Sequence, residues 1–162
     1  MDSYTIAGLP LHILLNHVVV VLVPLTALAV VLHALWPVAA RRLGIVTPIA
    51  GLIVLVAVPI TINAGQALEN AVTITPAVQQ HADLGQTMLP WAIALFVVAL
   101  ALWGWTRFGK PLYGPQMSAA LRVGITIVLA VAAVIIAVGS VIDVVLIGDA
   151  GARAVWGSVV GG

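Results

Sequence analysis

The chain has 162 residues, of which 63% are hydrophobic and 7% charged, and its mean hydropathy is +1.24. A soluble domain carries roughly 25% charged residues; six basic and five acidic side chains cannot cover a water-facing surface of this size, so the composition places the chain in a membrane. A net charge of +1 with no basic patch excludes an ordinary nucleic-acid binder. The absence of cysteine excludes disulfides, thiolate metal sites, iron–sulfur clusters and covalent haem attachment.

Crossing the hydrocarbon core takes about 20 apolar residues in a helix, and four segments qualify. The first helix is expected over about 11–36, the second over 45–68, the third over 76–106 and the fourth over 119–147. The first lacks the basic flank and small-residue cleavage site of a signal peptide. Between the second and third, Thr75-Pro76 reads as an N-cap followed by proline at the first helical position, so the third helix is expected to project beyond the membrane. The loop around Arg41 reads as tight, and Gly109, Pro111, Gly114 and Pro115 break the chain before the fourth helix. Residues 148–162 form a small-residue-rich tail, either loose or touching the interface through Val155 and Trp156.

Five of the six basic residues, Arg41, Arg42, Arg107, Lys110 and Arg122, fall on one side of this layout. By the positive-inside rule that side is cytoplasmic, and both termini face outward. The expected fold is therefore all-α: an integral membrane protein with four transmembrane helices in an antiparallel up-down bundle, N-out and C-out. One domain spans 1–147, with an extracytoplasmic tail over 148–162. The bacterial inner membrane is the expected location.

Polar groups inside spans are costly and face a bundle interior, a cavity or a partner. Here they crowd the outer half: His12, Asn16 and His17 on the first helix, Asn63, Gln66, Glu69 and Asn70 on the second, His81, Asp83 and Gln86 on the third, Ser140 and Asp143 on the fourth. His12 and Asn16, four apart, share a face. His17 is five residues from His12, about 140° around the helix, so the two cannot ligate one ion from a regular helix. Asn63, Gln66 and Asn70 form one stripe, and Pro59 lies one turn before it. Gly85, one turn after His81, removes bulk beside the imidazole and permits close approach of a helix or flat ligand. Asp143 is the most deeply embedded acid.

The opening Leu-Pro-Leu-His-Ile-Leu-Leu-Asn-His, ending at His17, resembles an uncharacterised family of bacterial four-helix membrane proteins. In that family the first helix opens Leu-His-Pro-x-x-x-His-Phe-Pro and the third segment carries a histidine followed four residues later by glycine. His12, His17, His81 and Gly85 match those positions, while Ile13 replaces the proline and Val18-Val19 replaces Phe-Pro. The resemblance spans about 8–105. It implies the four-helix fold and this set of residues, with no defined reaction.

Two readings of function stand side by side. In the first, the outward-facing pocket binds b-type haem or a copper or zinc ion in a respiratory or redox-linked role. His17 and His81 are then the leading ligands and His12 the third, with Asn16, Asn63, Gln66, Asp83, Gly85 and Asp143 around them. In the second, the protein is a non-catalytic structural or accessory subunit of a larger membrane complex, or a homo-oligomer, and its polar groups are interhelical glue. A transmembrane proton path is disfavoured, because the polar set does not continue into the cytoplasmic half, where His33 lies roughly 24 Å from His17 along the helix. No motif of protein-only catalysis is present. Ser140 with Asp143 reads as a local hydrogen bond and Met88 as packing, so the protein is not expected to be an enzyme on its own.

Overall fold

The computed structural model describes the backbone of residues 5–6, 9–70 and 72–160. A minimal antiparallel pairing of β1 (Thr5–Ile6) with β2 (Leu9–Pro10) leads into α1 (Leu11–Leu35). Then follow α2 (Pro37–Leu43), α3 (Val46–Glu69), α4 (Pro76–Gly104), a π-helical segment Trp105–Tyr113, a 3₁₀ turn Gly114–Gln116, and α5 (Ala119–Val160). Four of the helical stretches are long and apolar enough to cross a membrane, which makes this a multi-pass membrane protein.

The ends of these helices follow from local chemistry. Thr75 caps α4, its Oγ1 accepting from the Val78 N–H at 3.3 Å, and Pro76 occupies the first helical position, where a missing N–H costs nothing. The segment around Arg41 is a short helix rather than a tight loop. Pro37 starts it, and Gly44, at φ 43°, ends it in the left-handed region that only glycine adopts freely.

The C-terminal segment also differs from its expected form. Helix continues through the glycine-rich stretch after Ile147, so α5 has 42 residues and is about 63 Å long at about 1.5 Å per residue. Ala150 is buried, the His81 ring lies against Gly151, and Asp149 pairs with Arg153 one turn on. Gly151 thus serves close packing on α4, while Gly148 and Gly157 have nothing within 4 Å of a Cβ position.

The interior is thin and built from small residues. Val23, Val30, Val54, Val58, Ala92 and Leu95 are fully or almost fully buried. The outward faces carry Val21, Leu25, Leu28, Ile53, Val97, Val128, Ile135 and Val145, all exposed. That inversion suits lipid, where association rests on close van der Waals fit. Gly51 lets α3 approach the Phe96 backbone of α4, and Gly139 lies directly under the Trp91 ring.

Each long helix packs chiefly on two others, α1 on α3 and α5 and α4 on α3 and α5, with a smaller contact between α1 and α4 across the bundle. At one end His33 ties three helices, its Nδ1 3.0 Å from Thr47 Oγ1 on α3 and its Nε2 3.1 Å from Thr106 Oγ1 in the π segment. At the opposite end His12, near the start of α1, meets Thr61 near the end of α3.

Candidate functional site

The helix ends opposite Arg41, Arg107 and Lys110 enclose a cavity of about 130 Å³. All four long helices line it. His12, Asn16 and Val19 come from α1, Thr61, Gly65 and Gln66 from α3, His81, Gly85 and Met88 from α4, and Val144 and Ile147 from α5. The walls are mainly apolar with a few polar groups, as small-ligand pockets usually are.

The two histidines are held in matching ways. His12 Nδ1 is 3.1 Å from the Thr61 carbonyl, and His81 Nδ1 is 3.1 Å from the Ile147 carbonyl. A carbonyl only accepts, so each Nδ1 carries a proton and donates it. In a neutral ring Nε2 is then left with its lone pair. Four residues beyond each accepting carbonyl is a glycine that the ring rests on. A Cβ at Gly65 would come within 2.9 Å of His12 Cε1, and one at Gly151 within 3.0 Å of His81 Cε1. The rings face each other edge-on, with centroids 6.0 Å apart and planes at 71°.

The other residues singled out from the sequence fall in different places. Asn16, Gln66 and Gly85 line the cavity with the two histidines, and beside Gly85 a Cβ would meet open space. His17 does not line it. The side chain is exposed, and Nδ1 donates back to the Ile13 carbonyl at 2.7 Å. Asn63 is exposed and outside the cavity. Asp83 is also exposed, and its Oδ1 accepts from Gln79 Nε2 at 3.1 Å. Asp143 is buried between α4 and α5, where Oδ1 lies 2.8 Å from Thr87 Oγ1, a hydroxyl that is also 2.7 Å from the Leu84 carbonyl, and Oδ2 has no partner. Ser140 donates to the Ala137 carbonyl, so it and Asp143 form no dyad.

Sequence reading missed Thr61, Ile147 and Gly151, the carbonyl partners and one of the two glycine seats. Backbone carbonyls leave no mark in a sequence, and Gly151 lies in a stretch that reads as tail. Among the described residues no group of three or more histidine or acidic side chains is placed to hold a metal ion. Comparison with family models, curated proteins and solved structures returned no match for this chain.

Proposed function

We propose that this is a metal-binding membrane protein whose His12 and His81 hold a transition-metal ion, either copper in a redox-linked role or a redox-inert zinc. The observation that carries this reading is the shared seating of the two rings. Fixing Nδ1–H on a carbonyl sets the tautomer and orientation that present Nε2 to a metal, an arrangement common among metal-ligating histidines. Two imidazoles bound to one ion at metal–nitrogen distances of about 2.0–2.1 Å have ring centres about 5 Å apart at a tetrahedral angle and about 6 Å apart when the two nitrogens are nearly opposite, and the spacing here is 6.0 Å. With two protein ligands, the ion keeps positions for water or a small substrate. Asn16 and Gln66 supply hydrogen-bonding groups around it.

Haem fits this cavity less well. A volume of about 130 Å³ is close to that of a cavity that takes benzene, about 150 Å³, and a porphyrin is several times larger. The reading includes the antiparallel up-down arrangement with N-out and C-out orientation in a bacterial inner membrane. It also includes kinship with the four-helix family that the first-helix histidines resemble.

A second reading has its own observation in favour. Each of the two histidine hydrogen bonds joins different helices, α1 to α3 and α4 to α5, which is what interhelical glue in an accessory subunit would do. Elemental analysis of the detergent-purified protein, loaded with copper or zinc and then desalted, separates the two. The metal reading expects about one ion per chain, lost in both His12→Ala and His81→Ala and retained in His17→Ala. Metal-free wild-type protein in a folded, monodisperse sample supports the glue reading and overturns the first. A reduced-minus-oxidised absorption spectrum of protein expressed with haem supplied tests the porphyrin alternative, and sharp α and Soret bands would replace the bare ion with haem.

A further inference from the structure

The opposite end of the bundle holds a larger cavity, about 760 Å³, within the range typical of ligand sites, roughly 300–1,000 Å³. Its cations come from distant parts of the chain: Arg41 from α2, and Arg107 and Lys110 from the π-helical segment. The sequence holds no acid between Asp2 and Glu69, nor between Asp83 and Asp143. The elements forming this end therefore contain no carboxylate to neutralise the three charges.

The remaining lining is built for something amphipathic. Leu35, Leu102 and Leu129 give an apolar wall, and Thr106 and Thr126 give hydroxyls. Two tryptophans frame it. Trp105 is pinned by its Nε1 donating to Thr126 Oγ1 at 3.1 Å, and Trp103 stacks edge-on against Phe108 at 5.4 Å. The Arg107 guanidinium lies 5.2 Å from the Phe108 ring centre. Tryptophan collects at the headgroup level of a bilayer, so the cavity opens where lipid phosphates lie.

We infer that this cavity is a binding site for an anionic phospholipid, with the phosphate against Arg41, Arg107 and Lys110 and an acyl chain beside Leu35 and Leu129. Charge complementarity selects an anionic over a zwitterionic headgroup, and the leucine wall selects a lipid over a free anion. Basic pockets between membrane helices bind acidic headgroups in this way.

The test uses the full chain, delipidated in a neutral detergent. Native mass spectrometry and thermal unfolding are read with phosphatidylglycerol, with phosphatidylcholine of the same acyl chains, and with inorganic phosphate. The expected result is one retained phosphatidylglycerol per chain, with a raised melting temperature, and weak or no retention of phosphatidylcholine. Arg41→Gln, Arg107→Gln and Lys110→Gln should each weaken binding about fivefold, and the three together more than about a hundredfold. Arg42→Gln and Arg153→Gln, outside the cavity, should leave it unchanged. Leu129→Trp fills the cavity at constant charge and should also reduce retention, so the inference does not depend on the triple variant folding. Equal binding of the two lipids would overturn the site. So would a full shift from inorganic phosphate alone, or an Arg42→Gln effect as large as that of Arg107→Gln.

Discussion

An alanine at position 139 would set its Cβ 2.1 Å from Cη2 and 2.3 Å from Cζ3 of Trp91. Ordinary contact begins near 3.4 Å, so the indole must retreat by about 1.3 Å. It has little room to do so, because Trp91 packs against the buried core and lies one turn from Thr87, which holds Asp143. Overpacking of this kind costs about 1–3 kcal/mol. The substitution gains about 0.8–1.0 kcal/mol of helix propensity, leaving a net loss of up to about 2 kcal/mol. Gly124 lies on the same helix with nothing within 4 Å of its Cβ, so Gly124→Ala should keep the propensity gain. The propensity gain is common to both, so the two alanine variants should differ by the overpacking cost alone, about 1–3 kcal/mol, in unfolding titrations from mixed micelles. Trp91→Leu in the Gly139→Ala background should recover part of the loss. If Gly139→Ala proves as stable as Gly124→Ala, the packing of α4 on α5 described above is wrong.

Three further outcomes are expected. Gly65→Ala and Gly151→Ala should each displace an imidazole by several tenths of an ångström and lower the metal content of loaded protein, while Gly148→Ala should not, as read by elemental analysis. Thr87→Val removes the one hydrogen bond that Asp143 makes among the described residues. It should destabilise by about 1–3 kcal/mol, and Asp143→Leu in that background should recover stability; an unchanged unfolding midpoint for Thr87→Val would count against the buried pair. A double-mutant cycle between His33→Ala and Thr47→Val should show a coupling of about 0.6 kcal/mol, at most about 1.7, whereas strict additivity would mean the bond seen at 3.0 Å contributes nothing.

The four spans and the cap at Thr75-Pro76 are legible in the sequence because hydropathy and capping act locally. The 140° offset of His17 from His12 was equally legible, and the structure places His17 outside the cavity that His12 lines. The faces of the spans were not legible. When nearly every position is Val, Ile, Leu or Ala, no polar stripe tells which side meets lipid and which meets a neighbouring helix. The seat of Trp91 on Gly139 and the bridge from His33 to Thr47 and Thr106 join residues far apart in the chain and leave no pattern within a window. The convergence of Arg41 with Arg107 and Lys110 is hidden for the same reason: 66 residues separate the first two. The short helix at Pro37–Leu43 falls below the length at which periodicity can be read.

The bridge at His33 has a direction as well as a position. Thr106 commits its one hydroxyl hydrogen to the helix behind it, 2.8 Å from the Leu102 carbonyl, with the Trp103 carbonyl at 3.1 Å. It can therefore only accept from His33, which puts the ring proton on Nε2. Nδ1 of a neutral ring then accepts, and the Thr47 hydroxyl must donate to it. The hydrogens run in file from α3 through α1 to α4, like arrows on a one-way street. Turning the file around takes the concerted rotation of two hydroxyls and a change of tautomer, so this corner of the bundle has one low-energy wiring and a switch that needs three simultaneous moves to throw.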